Sequence, residues 1–232
     1  MQGILTSVHK TGYDVFAGGK TIFCIVNNSF KSKDKPLVGD KVTIKKEQDQ
    51  YLIIDAKPRK SIIGRFDHER NRFQAFASNV DVVFVVTSAN KEFNPNKIKR
   101  FLSLVEDQPV KPVIVITKRD LTNKVDEYIE TAKQICKNVI AINAMEKDEA
   151  LSILDQVKRG GTLLLLGSSG VGKSTITNTL TGLQIRTQEV RSAKHGNRGK
   201  HTTSARNLYF LGDGKKIIDS PGITVVAAEH ID

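Results

Sequence analysis

Eight consecutive residues, Gly167-Ser168-Ser169-Gly170-Val171-Gly172-Lys173-Ser174, fit the pattern G-x-x-x-x-G-K-[ST]. Glycines at this spacing let backbone N–H groups turn inward around a phosphate chain. A helix that starts at the end of the loop adds its partial positive charge. Lys173 is placed to reach the β- and γ-phosphates, and Ser174 to offer its hydroxyl to a magnesium ion, with Thr175 next to it in the contacting set. The context is right for this chemistry. An apolar run, Thr162 to Leu166, reads as a buried strand before the loop, and Thr175 to Leu183 reads as a helix after it. A chance glycine-serine turn would not be expected to match all four specified positions and both flanks.

A second group of residues could read a base. Thr117-Lys118-Arg119-Asp120 follows an apolar run, Pro112 to Ile116, and resembles the [NT]-K-x-D element of guanine-nucleotide-binding proteins. A carboxylate suits guanine because its two oxygens accept from N1–H and from the 2-amino group together; adenine lacks that pair of donors. Lys118 would lay its stem over the base. Asn143-Ala144 ends the next apolar run, Val139 to Ile142, and the Ala144 N–H would meet guanine O6. Ligands bind at the edge where parallel strands end, which is where both elements are expected to lie.

A third group follows the phosphate loop. Residues 186–206 hold six Lys and Arg against one Glu, and include His201-Thr202-Thr203. Thr202 and Thr203 are candidates for a threonine that binds magnesium and senses the γ-phosphate. Asp219-Ser220-Pro221-Gly222 is a D-x-x-G element: Asp219 would hold magnesium, and the Gly222 N–H would meet the γ-phosphate. Ile223 follows Gly222, where Ras-type enzymes carry a glutamine that orients water, so slow intrinsic turnover is expected.

Elements must bring these groups together. From Asp81 onward, apolar runs alternate with segments of helical spacing, which predicts a parallel sheet covered on both faces. Asn94-Pro95 reads as a helix start, with Asn as the cap and Pro in the first turn. The motif order is reversed from the common one: the guanine element precedes the phosphate loop instead of following it. One six-stranded α/β domain with a circularly permuted chain accommodates that order. Residues 3–57 instead hold five short alternating runs separated by Gly12, Gly18-Gly19, Gly39-Asp40 and Asp49, which predicts a five-stranded all-β barrel of the oligonucleotide-binding (OB) kind. The expected division is a barrel over 1–60, a basic linker over 61–78 and the permuted nucleotide-binding domain over 79–232.

Charge points to an anionic partner. The formal net charge is +11 and the isoelectric point is about 9.6, which favours nucleic acid. Residues 1–60 carry eleven Lys and Arg against six Asp and Glu. Among the barrel aromatics most are expected in the core, with Phe30, flanked by lysines, the best candidate for stacking on a base. Cys24 and Cys136 sit far apart in apolar-periodic segments and read as core thiols. No apolar run approaches the ~18–20 residues needed to span a bilayer. With no signal-peptide pattern in residues 1–20, a cytoplasmic monomer without membrane contact is expected.

Together, Val38-Gly39-Asp40, Pro58-Arg59-Lys60, Asn79-Val80-Asp81, Gly199-Lys200-His201-Thr202-Thr203 and Asp219-Ser220-Pro221-Gly222, in this order around the phosphate loop, resemble the circularly permuted ribosome-small-subunit-dependent GTPase family of the RsgA or YjeQ type. The resemblance implies Mg²⁺-dependent hydrolysis of GTP to GDP and phosphate. It also implies a role in late maturation of the small (30S) ribosomal subunit, with the barrel on ribosomal RNA. It implies His201 as the catalytic group that positions or deprotonates water, against the alternative of a phosphate- or RNA-facing loop histidine. Lys173 is the other catalytic candidate, read from the phosphate loop as the charge that stabilises the phosphoryl group. Members of that family usually continue into a zinc-binding domain. The sequence ends ten residues past Gly222, so zinc is not expected in this chain. Two other readings compete with turnover: an RNA-binding assembly factor gated by nucleotide, and a P-loop ATPase or kinase. The element at Thr117 to Asp120 argues against the second.

Overall fold

The computed structural model describes residues 1–27, 30, 34–67, 70–182 and 206–219. The first five strands are β1 (Gln2–Val8), β2 (Tyr13–Ala17), β3 (Lys20–Val26), β4 (Lys41–Glu47) and β5 (Gln50–Ala56). They pair in the cycle β1-β2-β3-β5-β4 and close through β1–β4, so the expected five-stranded barrel forms. Leu5, Val15, Ile22, Cys24, Val42, Ile44 and Ile53 point inward and are buried. Gly18 and Gly19 both have positive φ, the conformation a two-residue turn needs between right-twisted strands. The exposed barrel aromatic is Phe23, at 51%. Phe30, expected to be available for stacking, is instead partly buried against the core. Cys24 and Cys136 are free thiols.

The segment 61–78, expected as an irregular basic linker, contains an antiparallel hairpin of β6 (Ile62–Asp67) and β7 (Arg72–Ser78). Its alternation is hidden because only its base is buried, through Ile63, Phe76 and Ala77, whereas Phe66 and Phe73 pair in the open near the tip. A register shift between Ile63 and Gly64 further breaks the period of two.

Six strands form the second sheet: β8 (Val82–Ser88), β9 (Lys111–Thr117), β10 (Val139–Ala141), β11 (Thr162–Leu166), β12 (Asn207–Phe210) and β13 (Lys216–Asp219). Their order is β10-β9-β8-β11-β13-β12, parallel except for β12. Alternate residues of the buried strands face opposite sides. Val83, Val85, Ile114 and Ile116 join the cluster under α1 (Pro95–Ser103) and α2 (Val125–Lys133). Val82, Phe84, Val113 and Val115 join the cluster with Ile153, which follows α3 (Lys147–Ser152), and with Ile176 of α4 (Lys173–Thr181). Both faces are therefore covered, which is why these strands read as continuous apolar runs. Asn94 caps α1 by accepting from the Lys97 N–H, with Pro95 in the first turn. Strand β12 also pairs with β1 at Ser7 and Asn207, which joins barrel and sheet edge to edge. No helix among the described residues is long and apolar enough to cross a membrane.

Candidate functional site

The parallel strands end on one edge, and those of the predicted groups that lie within the described residues sit at that edge. The loop after β11 is shaped by its glycines. Gly167 has φ +150, and a Cβ there would lie 2.3 Å from the Val86 carbonyl oxygen; Gly172, at φ +99, leads into α4. A side chain at Gly167 would collide with backbone, and one at Gly172 would be held in a left-handed conformation and pressed to 3.3 Å against the Thr117 side chain.

Lys173 is almost fully buried and donates from Nζ to the carbonyls of Gly167 at 2.7 Å and Ser168 at 2.6 Å. Burial pulls its pKa down to about 8, partly offset by the negative charge of Asp219. Asp219 ends β13 and is buried as well. Burial raises its pKa, partly offset by Lys173. Both groups are thus pushed toward neutrality by the same desolvation. Ser174, in the first turn of α4, and Asp219 supply hard oxygen donors, the set that suits magnesium.

The predicted base-reading element is physically fastened to the predicted phosphate loop. Thr117 is fully buried, and its Oγ1 donor contacts the Val171 carbonyl at 2.6 Å and the Thr87 carbonyl at 3.1 Å. Lys118 adopts a left-handed conformation and donates from Nζ to the Gly170 carbonyl at 3.0 Å. The Lys118 stem therefore crosses between the two motifs. Asp120 is exposed in the short turn Arg119–Leu121. Asn143 donates its N–H to Glu149 Oε2 at 2.7 Å, and its Oδ1 accepts from the Met145 N–H. The Ala144 carbonyl accepts from Thr179 Oγ1 of α4. The structure thus brings together Thr117, Lys118, Asp120, Asn143, Ala144, Gly167 to Thr175 and Asp219. His201, Thr202, Thr203 and Gly222 lie outside the described residues.

Thr117 is a tether with no hydroxyl left for a ligand. Replacing it by Val keeps the volume and leaves the Val171 and Thr87 carbonyls without that donor. A loss of about 1–3 kcal/mol in stability is expected, together with weaker nucleotide binding, because the loop loses its anchor. Thermal denaturation and nucleotide titration of Thr117→Val check both; unchanged affinity would contradict the anchoring role.

Sequence reasoning missed Glu149. No local pattern marks it: it lies in the first turn of a short helix, thirty residues from the Arg119 it binds.

The family model for RsgA GTPase matches residues 56–229. The small ribosomal subunit biogenesis GTPase RsgA 2 of Vibrio vulnificus is 32% identical over 219 residues, covering 93% of this chain and 60% of that protein. The small ribosomal subunit biogenesis GTPase RsgA of Methanosarcina acetivorans is 30% identical, covering 96% of this chain and 62% of that protein. The chain thus spans about 60% of the length of these curated relatives. The crystal structure of YjeQ from Thermotoga maritima superposes with a TM-score of 0.71 at 25% identity, over 95% of this chain and 74% of that one. YloQ, a circularly permuted GTPase, superposes with a TM-score of 0.67 at 24% identity, over 100% of this chain and 74% of that one, a likeness of fold.

Proposed function

The chain belongs to the RsgA GTPase family, and from that premise we propose that it hydrolyses GTP to GDP and phosphate during small-subunit maturation, in the cytoplasm and as a monomer. The observation that carries this reading is the pair of bonds from Thr117 to Val171 and from Lys118 to Gly170. They fasten the Thr117 to Asp120 segment to the glycine loop, which supports one shared nucleotide site although the chain runs through the two in reversed order.

In this reading the loop N–H groups and Lys173 hold the phosphates. Phosphate oxygens take over from the Gly167 and Ser168 carbonyls as acceptors for the ammonium. The positive end of α4 faces the same charge. Ser174 and Asp219 would hold magnesium, with Thr202 or Thr203 added from the following segment; when bound, the ion supplies neutralising charge for the phosphates. Asp120 and the Ala144 N–H read the guanine edge. His201 is the proposed group that positions the attacking water, and the Gly222 N–H the proposed contact to the γ-phosphate. Water adds to the γ-phosphorus as the bond to the β–γ bridging oxygen breaks, and GDP leaves with the electron pair. The N–H groups and Lys173 stabilise the charge that spreads over the phosphoryl oxygens.

The relatives' printed names speak of small-subunit biogenesis, and the surface supports an RNA partner. The β6–β7 hairpin carries exposed Phe73 beside exposed Arg70 and Arg72, a basic and aromatic tip suited to phosphates and unstacked bases. Turnover of GTP, alone and with purified small ribosomal subunits at fixed salt, tests the reading. Slow intrinsic turnover and a large stimulation are expected. Intact GTP binding without stimulation would favour the nucleotide-gated RNA binder, and preference for ATP over GTP would overturn the guanine reading.

A further inference from the structure

Resting on the guanine reading of Asp120 and Ala144, we propose that Glu149 and Arg119 are positioning residues that set base selectivity by clamping the two base-reading loops at a fixed separation. Arg119 lies between Lys118 and Asp120, in the turn that presents the carboxylate. Its Nε donates to Glu149 Oε2 at 2.6 Å and its Nη2 to Glu149 Oε1 at 2.6 Å, a two-point fork. The same Oε2 accepts from the Asn143 N–H at 2.7 Å. One carboxylate therefore holds the turn after β9 and the strand end after β10 together.

The clamp stands where backbone pairing gives out. Strands β9 and β10 are in register up to Ile116 and Ala141, and one further bond runs from the Ile142 N–H to the Ile116 carbonyl. Beyond it the two loops leave the sheet, and the remaining backbone contact between them, from the Arg119 N–H to the Ile142 carbonyl, is long at 3.4 Å. Asp120 and Ala144 both lie past that point. Recognition of one base by groups on two separate loops requires their spacing to hold within a fraction of an ångström. Glu149 supplies that spacing from one side; on the other, the Thr179 hydroxyl, shared between the Thr175 carbonyl at 2.9 Å and the Ala144 carbonyl at 3.2 Å, packs against Ala144.

An exposed ion pair ordinarily contributes little. This one differs in kind, because the fork fixes orientation and the carboxylate also satisfies a backbone donor. Arg119 first, and then the Asn143 N–H, hold the Glu149 carboxylate down to about 2. Glu149 consequently stays ionised, and the clamp closed, throughout the neutral range.

The test is equilibrium binding of GDP and of ADP to the full chain and to Glu149→Ala, Glu149→Gln and Arg119→Lys. The wild type must first prefer GDP; if it does not, the base-site reading itself fails. Given that preference, Glu149→Ala is expected to weaken GDP about tenfold and ADP by no more than about threefold, so the GDP-to-ADP ratio falls. Glu149→Gln keeps an acceptor for the Asn143 N–H and should fall between wild type and Glu149→Ala. Arg119→Lys, which keeps the charge but not the fork, should also be intermediate. Equal losses for both nucleotides, or an unchanged GDP-to-ADP ratio in Glu149→Ala and Glu149→Gln, would overturn the proposal and leave the guanine reading standing. Melting temperatures of the nucleotide-free variants separate a moved loop from a damaged fold.

Discussion

Lys173→Met is expected to weaken nucleotide binding by about 100-fold or more while changing the stability of the nucleotide-free chain by no more than about 1 kcal/mol at neutral pH. The asymmetry follows from burial. The ammonium is nearly enclosed and, among the described residues, is bonded to the loop's own Gly167 and Ser168 carbonyls. Removing it forfeits those two bonds but also removes a desolvated charge, and the two effects oppose each other. With a phosphate chain present there is no such offset, because the charge then has its counter-charge.

The pH dependence gives an independent check. The Lys173 pKa is about 8 in the folded chain and ordinarily about 10.5. Between those values the unfolded chain binds the proton that the folded chain has released. Stability of the nucleotide-free wild type should therefore gain a rising contribution from pH 8 toward 10.5, one that is absent below that window. Lys173→Met should lack this contribution. Asp219 behaves in the opposite sense. Its folded pKa is raised, so its contribution is present at acidic pH and lost as pH rises through the folded value. The site is thus built from two groups that are each costly to charge until ligand arrives. Nucleotide stabilises the wild type by mass action and should leave the melting temperature of Lys173→Met nearly unmoved. Denaturation with and without GDP, at pH 7 and pH 9.5, reads all of this. A large loss of nucleotide-free stability in Lys173→Met would show that the ammonium is a structural bolt instead.

What could be read from the residues, and what could not, divides along a physical line. The runs at Val82 to Val86, Val113 to Ile116 and Leu163 to Leu166 announced buried parallel strands because both faces of each strand are covered. The glycine loop after β11 was legible because its pattern is local, eight residues in which the Lys173 ammonium folds back onto the Gly167 and Ser168 carbonyls. The hairpin over Ile62 to Ser78 was not legible, since its tip is solvated and a bulge shifts its register. Glu149 was not legible either. Its partners become neighbours only once β9 and β10 lie side by side. The same holds for Asp40. Its triplet is conspicuous in the sequence as part of a family pattern, but the pattern does not say what the aspartate touches.

Asp40→Ala is expected to destabilise the chain more than Lys173→Met or Thr117→Val, by about 3–5 kcal/mol, or about 10 °C in melting temperature for a chain of this size. Asp40 is fully buried. Its carboxylate accepts from Arg59 Nε at 2.8 Å, Arg59 Nη2 at 2.8 Å, Ser78 Oγ at 2.6 Å and the Leu37 N–H at 2.8 Å. Those partners come from the barrel loop, from the segment that leaves the barrel and from the base of the hairpin. Asn79 adds a bond to the Gly39 carbonyl. The backbone passes so close there that a Cβ on Gly39 would lie 2.2 Å from the Ser78 carbonyl oxygen. Three sequence triplets that looked like separate signatures thus form one junction.

Truncating Asp40 removes the buried counter-ion of the Arg59 guanidinium, whose side chain is only 12% exposed. The exposed Asp34 carboxylate at 3.7 Å and the Lys35 carbonyl at 2.8 Å remain beside it, and the loss of the buried partner is the main cost. The double replacement Asp40→Leu with Arg59→Met removes both charges and should recover a large part of the loss. If the junction couples the barrel to the rest of the chain, wild type should unfold in one transition and Asp40→Ala in two, with the barrel melting first. Equal losses in the single and double replacements would mean that geometry, and not the loss of the buried partner, sets the cost. A single transition at the wild-type temperature in Asp40→Ala would remove the junction from any role in holding the barrel in place.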